Sequence, residues 1–245
     1  MEIKNSAVTF WFNKQSNPKM YVEDLNDALK EYFFEFNTIA VPANIDPGIP
    51  RLNAVSSSNH SNLEMSLINM RLNTNFDDNF SKDADKCLSY LKERANILFD
   101  VLTKKCEIPI LFFAILINIE EKQENSSNIL TTHFLKDVEK FDNMSEVGIR
   151  LSKEMDGKFY KNIVLSNVRQ IKIDKIITAN ETEIILPLIP LNEASEIEEY
   201  LLTSLEVNDK YGFNSNKNYN TNKSDFDRMF EITLSAVKDE MTRFN

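Results

Sequence analysis

Glycine is almost absent: Gly48, Gly148, Gly157 and Gly212 are the only four in a chain of 245 residues. No Walker-type phosphate loop and no Gly-x-Gly-x-x-Gly turn can be written from them, so nucleotide chemistry by those routes is excluded. Cysteine is equally scarce. Cys87 and Cys106 fall in one expected helix, where nineteen residues at about 1.5 Å each hold them roughly 28 Å apart, well beyond bridging distance. Two reduced thiols without a Cys-x-x-Cys or Cys/His spacing are read as structural. There are two histidines, His60 and His133, and neither has a ligand-spaced acidic or thiol neighbour in sequence.

Positive charge is also in short supply. Against 38 acidic residues stand 28 basic ones, a formal net charge of -10 without a dense basic cluster, which disfavours binding to nucleic-acid backbones. No apolar run reaches the roughly 20 residues needed to cross a bilayer. The N-terminal stretch Ala7-Val8-Thr9-Phe10-Trp11-Phe12 is too short and too polar at its margins for a signal peptide, so a cytoplasmic setting without membrane attachment is expected.

What the chain does have is the run Ile110 to Ile119, bounded by Pro109 and by Glu120-Glu121-Lys122. Its length and its β-branched and aromatic content predict a strand, and its lack of alternation predicts cover on both faces. Before it, alternation predicts a strand over 7–13, with Val8, Phe10 and Phe12 opposite Trp11. Val22, Leu25, Leu29, Phe33 and Phe36 mark a helix over 22–36. Pro42, Asp46-Pro47-Gly48 and Pro50 mark a loop. Strands follow over 51–57 and 63–76, the second with a phase slip that a bulge near Ile68-Asn69 would absorb. Ala84, Leu88, Leu91, Ala95, Leu98 and Leu102 then give a helix over 83–106.

Residues 7–121 therefore spell strand, helix, strand, strand, helix, strand. That order is similar to the ferredoxin-like βαββαβ arrangement, a resemblance of topology without a diagnostic motif. The expected class is α+β: a ferredoxin-like half at 1–121, a linker and short helix at 122–146, and a second half at 147–245. The second half should hold a mainly antiparallel sheet and a C-terminal helix. Asp156-Gly157 marks a hairpin between strands at 147–153 and 159–173. Further strands are expected at 183–189 and 201–207. Residues 212–223 are Asn-rich and read as a mobile surface loop. Ser224 and Asp227 suggest a capping box for a terminal helix carrying Phe226, Met229, Phe230, Thr233, Val237, Met241 and Phe244. One sheet shared by both halves would account for a doubly covered strand at 110–119.

Chemistry is sparse. His60 lies among Ser56, Ser57, Ser58 and Ser61, but no nucleophile elbow accompanies it, so Ser57-Ser58-Asn59-His60 is read as a plain hairpin turn whose functional alternative is a ligand-contacting loop rather than a catalytic pair. Asp209, with Tyr211 beside it, follows a strand and opens the Asn-rich stretch, and is the first choice among the many carboxylates. No catalytic residue, metal ligand or cofactor is assigned. The function expected is a non-catalytic interaction module or assembly subunit that docks a protein, a second copy of itself included, through a sheet edge or an acidic surface. The alternative is a metal-dependent hydrolase or nuclease using carboxylates at strand ends. A small-ligand sensor built on the two polar loops is a third reading.

Overall fold

The computed structural model describes residues 1–42, 44–135, 144, 146–172 and 196–243. The chain is α+β, with a large antiparallel sheet and several helices. Two compact units are present. The first comprises Met1–Ile119, Arg150–Val164 and Thr203–Asn245, and the second Glu120–Ile149 and Leu165–Leu202.

The described strands of the sheet are β1 (Glu2–Phe12), β2 (Asn37–Thr38), β3 (Leu52–Val55), β4 (Ser61–Met65), β5 (Asn69–Asn75), β6 (Ile110–Lys122), β7 (Gly148–Met155), β8 (Phe159–Lys172) and β9 (Glu196–Asn208). Their order is β2-β3-β4-β5-β1-β6-β9-β8-β7. Alternation places Leu52, Leu63, Leu72, Val8, Phe10, Phe113, Ile115, Leu205 and Val207 on one buried face. Onto it pack α2 (Ala84–Asp100), through Leu88, Leu91, Ala95 and Leu98, and α5 (Lys223–Met241), through Phe226, Met229, Phe230 and Val237. The ring of Phe113 is central, with centroids 4.9 Å from Phe10, 5.0 Å from Phe226 and 6.1 Å from Phe230.

The run at 110–119 is a strand, as its composition predicts, but the cover on its two faces is unequal. Phe113, Ile115, Ile117 and Ile119 are buried, whereas Phe112, Leu116 and Asn118 are half-buried. On that second face Phe112 stacks on Trp11 at 4.6 Å. Asn118, the one polar residue of the run, donates to Asn5 at 2.7 Å and accepts from Ser204 at 2.6 Å, which fixes a polar row across β1, β6 and β9.

Other elements depart from expectation for local reasons. Residues 63–76 form a hairpin, β4 and β5, instead of one bulged strand. The phase slip is the turn itself: the Ser66 hydroxyl accepts the N–H groups of Ile68 and Asn69, and Met65 pairs with Met70. The first helix, α1 (Val22–Leu29), ends early, and Phe33 instead bridges to Ser56. A π-helical turn, Val101–Lys105, finishes the helix at 83–106, and the Asp83 side chain caps its start through the Lys86 N–H at 3.0 Å. The cap of α5 is Asn222 with Asp225, two residues before the expected Ser224 and Asp227; Asp227 pairs with Lys92 at 3.0 Å. Asp156 (φ 54°) and Gly157 (φ 62°) make the left-handed pair that the Asp-Gly signal predicts between β7 and β8.

The second unit holds residues 120–122 of β6, 148–149 of β7, 165–172 of β8 and 196–202 of β9, and the helix α3 (Ser126–Phe134), with Leu130 buried. Arg169 pairs with Glu199 at 3.0 Å, and Asn167 accepts the Val147 N–H at 2.7 Å. The strand expected at 183–189 lies outside the described residues.

Candidate functional site

Ser57, Ser58, Asn59 and His60 form the turn between β3 and β4. The turn closes on itself: the Ser56 hydroxyl accepts the Ser61 N–H at 2.9 Å, the Asn59 N–H reaches the Ser56 carbonyl at 2.9 Å, and Asn59 takes φ 58°. Ser57, Ser58 and Asn59 are exposed, and His60 Nε2 faces Asp77 Oδ2 at 3.6 Å. The depression beside His60, walled by Asp77, Phe80 and Tyr90, has a volume of about 10 Å³. A single water needs about that much, so the turn offers a surface and not a pocket.

Asp209 lies elsewhere. β4 and β9 are four strand spacings apart in the sheet, about 19 Å, so the structure does not bring the two sets of sequence-predicted residues together. Asp209 follows β9 and is fully buried. Burial pushes its carboxyl above the usual range, and three hydrogen bonds oppose that shift: from the Thr221 hydroxyl at 2.6 Å, the Phe113 N–H at 2.6 Å and the Tyr219 hydroxyl at 2.8 Å. Tyr219 also lies 3.3 Å from Asp225, which accepts from Lys158 at 2.8 Å and from Asn222 at 2.8 Å. The phenol of Tyr219 is held far above its ordinary range, first by burial and then by the negative charge of Asp209. Tyr211 contacts Tyr160 edge-on at 5.3 Å.

The stretch 212–223 lies at the surface, with 214–218, 220, 222 and 223 exposed, but it is anchored at two points. Residues Lys210–Ser215 form a short helix, α4, and Gly212 and Thr221 are buried. With both oxygens of Asp209 engaged by protein donors, the carboxylate fastens this segment to the first residues of β6. Tyr219, Thr221 and Asp225 were missed in the sequence because nothing periodic marks them. The one sequence signal near them is Asp209, a carboxylate placed directly after a strand. Among the described residues no group of three or more His, Cys, Asp and Glu side chains is placed to hold a metal ion.

Among the described residues the sheet ends in two different strands. One end is β2, only two residues long. The other is β7, whose eight residues are exposed at six positions, Leu151 among them. Arg150, Lys153 and Glu154 have no ion-pair partner among the described residues. The sequence signal was a strand without apolar alternation next to a tight Asp-Gly turn.

Comparison with protein-family models and with curated proteins finds no match.

Proposed function

We propose that the chain is a non-catalytic assembly subunit that docks a protein strand along β7, and that the strand is β7 of a second copy. The observation that carries this reading is an eight-residue strand, six of its residues exposed, that ends the sheet among the described residues. An unpaired edge offers a row of N–H and C=O groups to any extended chain, and main-chain hydrogen bonds supply the attraction. Charges on the strand then select the partner.

An antiparallel pairing of two copies centred on Ser152 places Arg150 opposite Glu154 of the second copy, and by symmetry Glu154 opposite Arg150. Leu151 then faces the aliphatic stem of Lys153. Such an interface is isologous and closed, so assembly stops at two. We also place the protein in the cytoplasm, in accord with two free, buried thiols, Cys87 and Cys106. The described residues contain no helix long and apolar enough to cross a membrane.

Light scattering on the full chain over a range of concentrations tests the proposal. The expected mass is twice 28.4 kDa, falling toward 28.4 kDa on dilution. A constant mass of 28.4 kDa up to high concentration would remove it.

A further inference from the structure

Arg51 immediately precedes β3, and its backbone is held on both sides. Its N–H donates to the Met65 carbonyl at 2.7 Å, and its carbonyl accepts the Ile39 N–H at 2.8 Å. The residue is only 8% exposed. One guanidinium nitrogen, Nη1, donates to the Ile49 carbonyl at 3.0 Å, while Nη2 is buried and has no hydrogen-bond partner among the described residues. Among the described residues no carboxylate pairs with this charge. A buried guanidinium without a counter-charge is costly, and the cost falls when an anion approaches.

The room for an anion is adjacent. Arg51 lines an open cleft of about 840 Å³ bounded by residues 14–19, residues 39–42 and Leu67. Lys14 and Lys19 line it as well, both exposed and both without an ion-pair partner among the described residues. Among the described residues no acidic side chain lines it, in a chain whose net charge is -10. Three cationic residues thus line one cleft. Ile39, Val41 and Leu67 line the same cleft and give it an apolar wall. The volume is within the range of small-molecule sites, about 300 to 1,000 Å³.

We infer that this cleft binds a small organic phosphate, its phosphoryl group toward Arg51, Lys14 and Lys19 and its apolar portion against Ile39, Val41 and Leu67. A phosphoryl group matches the site better than a carboxylate because it carries up to two charges and three acceptor oxygens, enough for several cationic donors. The glycine-poor sequence is no obstacle, since side chains rather than a glycine loop supply the donors.

Calorimetric titration of the full chain with phenyl phosphate tests this, with inorganic phosphate as a second probe and sodium chloride at matched ionic strength as the control. Phenyl phosphate should bind, and more tightly than inorganic phosphate, because only it reaches the apolar wall. The double variant Lys14→Gln/Lys19→Gln alters two exposed side chains and should retain the wild-type melting temperature. Its affinity for phenyl phosphate should fall by about tenfold or more, as expected for losing two charge-assisted contacts. Absence of binding by phenyl phosphate, equal binding of the two probes, or unchanged affinity in the double variant would each overturn the inference. An added Arg51→Gln variant that keeps its far-ultraviolet circular dichroism should also lose binding, and retention of binding there would overturn it too.

Discussion

The carboxylate of Asp209 accepts the backbone N–H of Phe113 at 2.6 Å, a contact between residues 96 apart in sequence. In return the Asp209 N–H donates to the Phe113 carbonyl at 3.3 Å. A side-chain oxygen thereby takes the place of a ladder carbonyl at the end of β9, and the same carboxylate holds Thr221 and Tyr219 of the Asn-rich segment. One residue joins the aromatic core around Phe113 to the approach of α5.

Replacing Asp209 by Ala would leave three donors in the interior without their acceptor, and should cost about 3 to 5 kcal/mol of unfolding free energy. Tyr219→Phe removes one of those donors and should cost about 1 kcal/mol. Urea denaturation of the two variants checks the ranking. Amide hydrogen exchange should show residues 210–222 opening in Asp209→Ala, and unchanged protection there would contradict the fastening role.

Gly212 tests the same segment by packing. A Cβ at this position would meet the Tyr219 ring at 2.8 Å, closer than real Cβ atoms approach. Gly212→Ala should therefore displace the ring, weaken its bond to Asp209 and cost about 1 to 3 kcal/mol. Thermal melting of Gly212→Ala alone and in the Tyr219→Phe background should show the two losses to be less than additive, because they share one contact.

Stability should fall steeply at alkaline pH. Burial, with a smaller contribution from Asp83, pushes the Cys87 thiol up to about 12, and burial with Asp24 pushes Cys106 up to about 11, from an ordinary 9.0. An acid whose folded pKa is raised favours the folded state fully below its unfolded value and loses that contribution as pH rises through the folded one. The decline should thus run from about pH 9 to pH 12. The variant Cys87→Ala/Cys106→Ala should decline less steeply in denaturant titrations over that window. Both wild-type thiols should react with iodoacetamide at neutral pH only after unfolding.

Much of the architecture was legible in the sequence where the causes are local. The stripes of α2 and α5, the alternation of β1, the apolar run of β6 and the Asp156-Gly157 turn each depend on spacing within a few residues. The hairpin at 61–75 was misread because a two-residue turn and a bulge produce the same slip in alternation; only the Ser66 hydrogen bonds separate them. The order of residues 212–223 was hidden for a different reason. Thr221 and Tyr219 are ordered by a carboxylate from another element, and such a partner leaves no period in the chain. Asp209 itself was singled out by its place after a strand. Arg51 was not, because the burial of a loop arginine depends on its neighbours in space.

The most direct test of assembly through β7 is sedimentation equilibrium of a charge-swap series. The wild type should sediment as a dimer of 28.4 kDa chains. Arg150→Glu sets like charges opposite each other at two symmetric positions and should weaken association by about 1.5 to 3 kcal/mol, roughly ten- to a hundredfold in Kd. Arg150→Glu/Glu154→Arg restores the complement and should recover the wild-type Kd. A wild type that remains monomeric, or a single-reversal variant that associates as tightly as the wild type, would contradict the account.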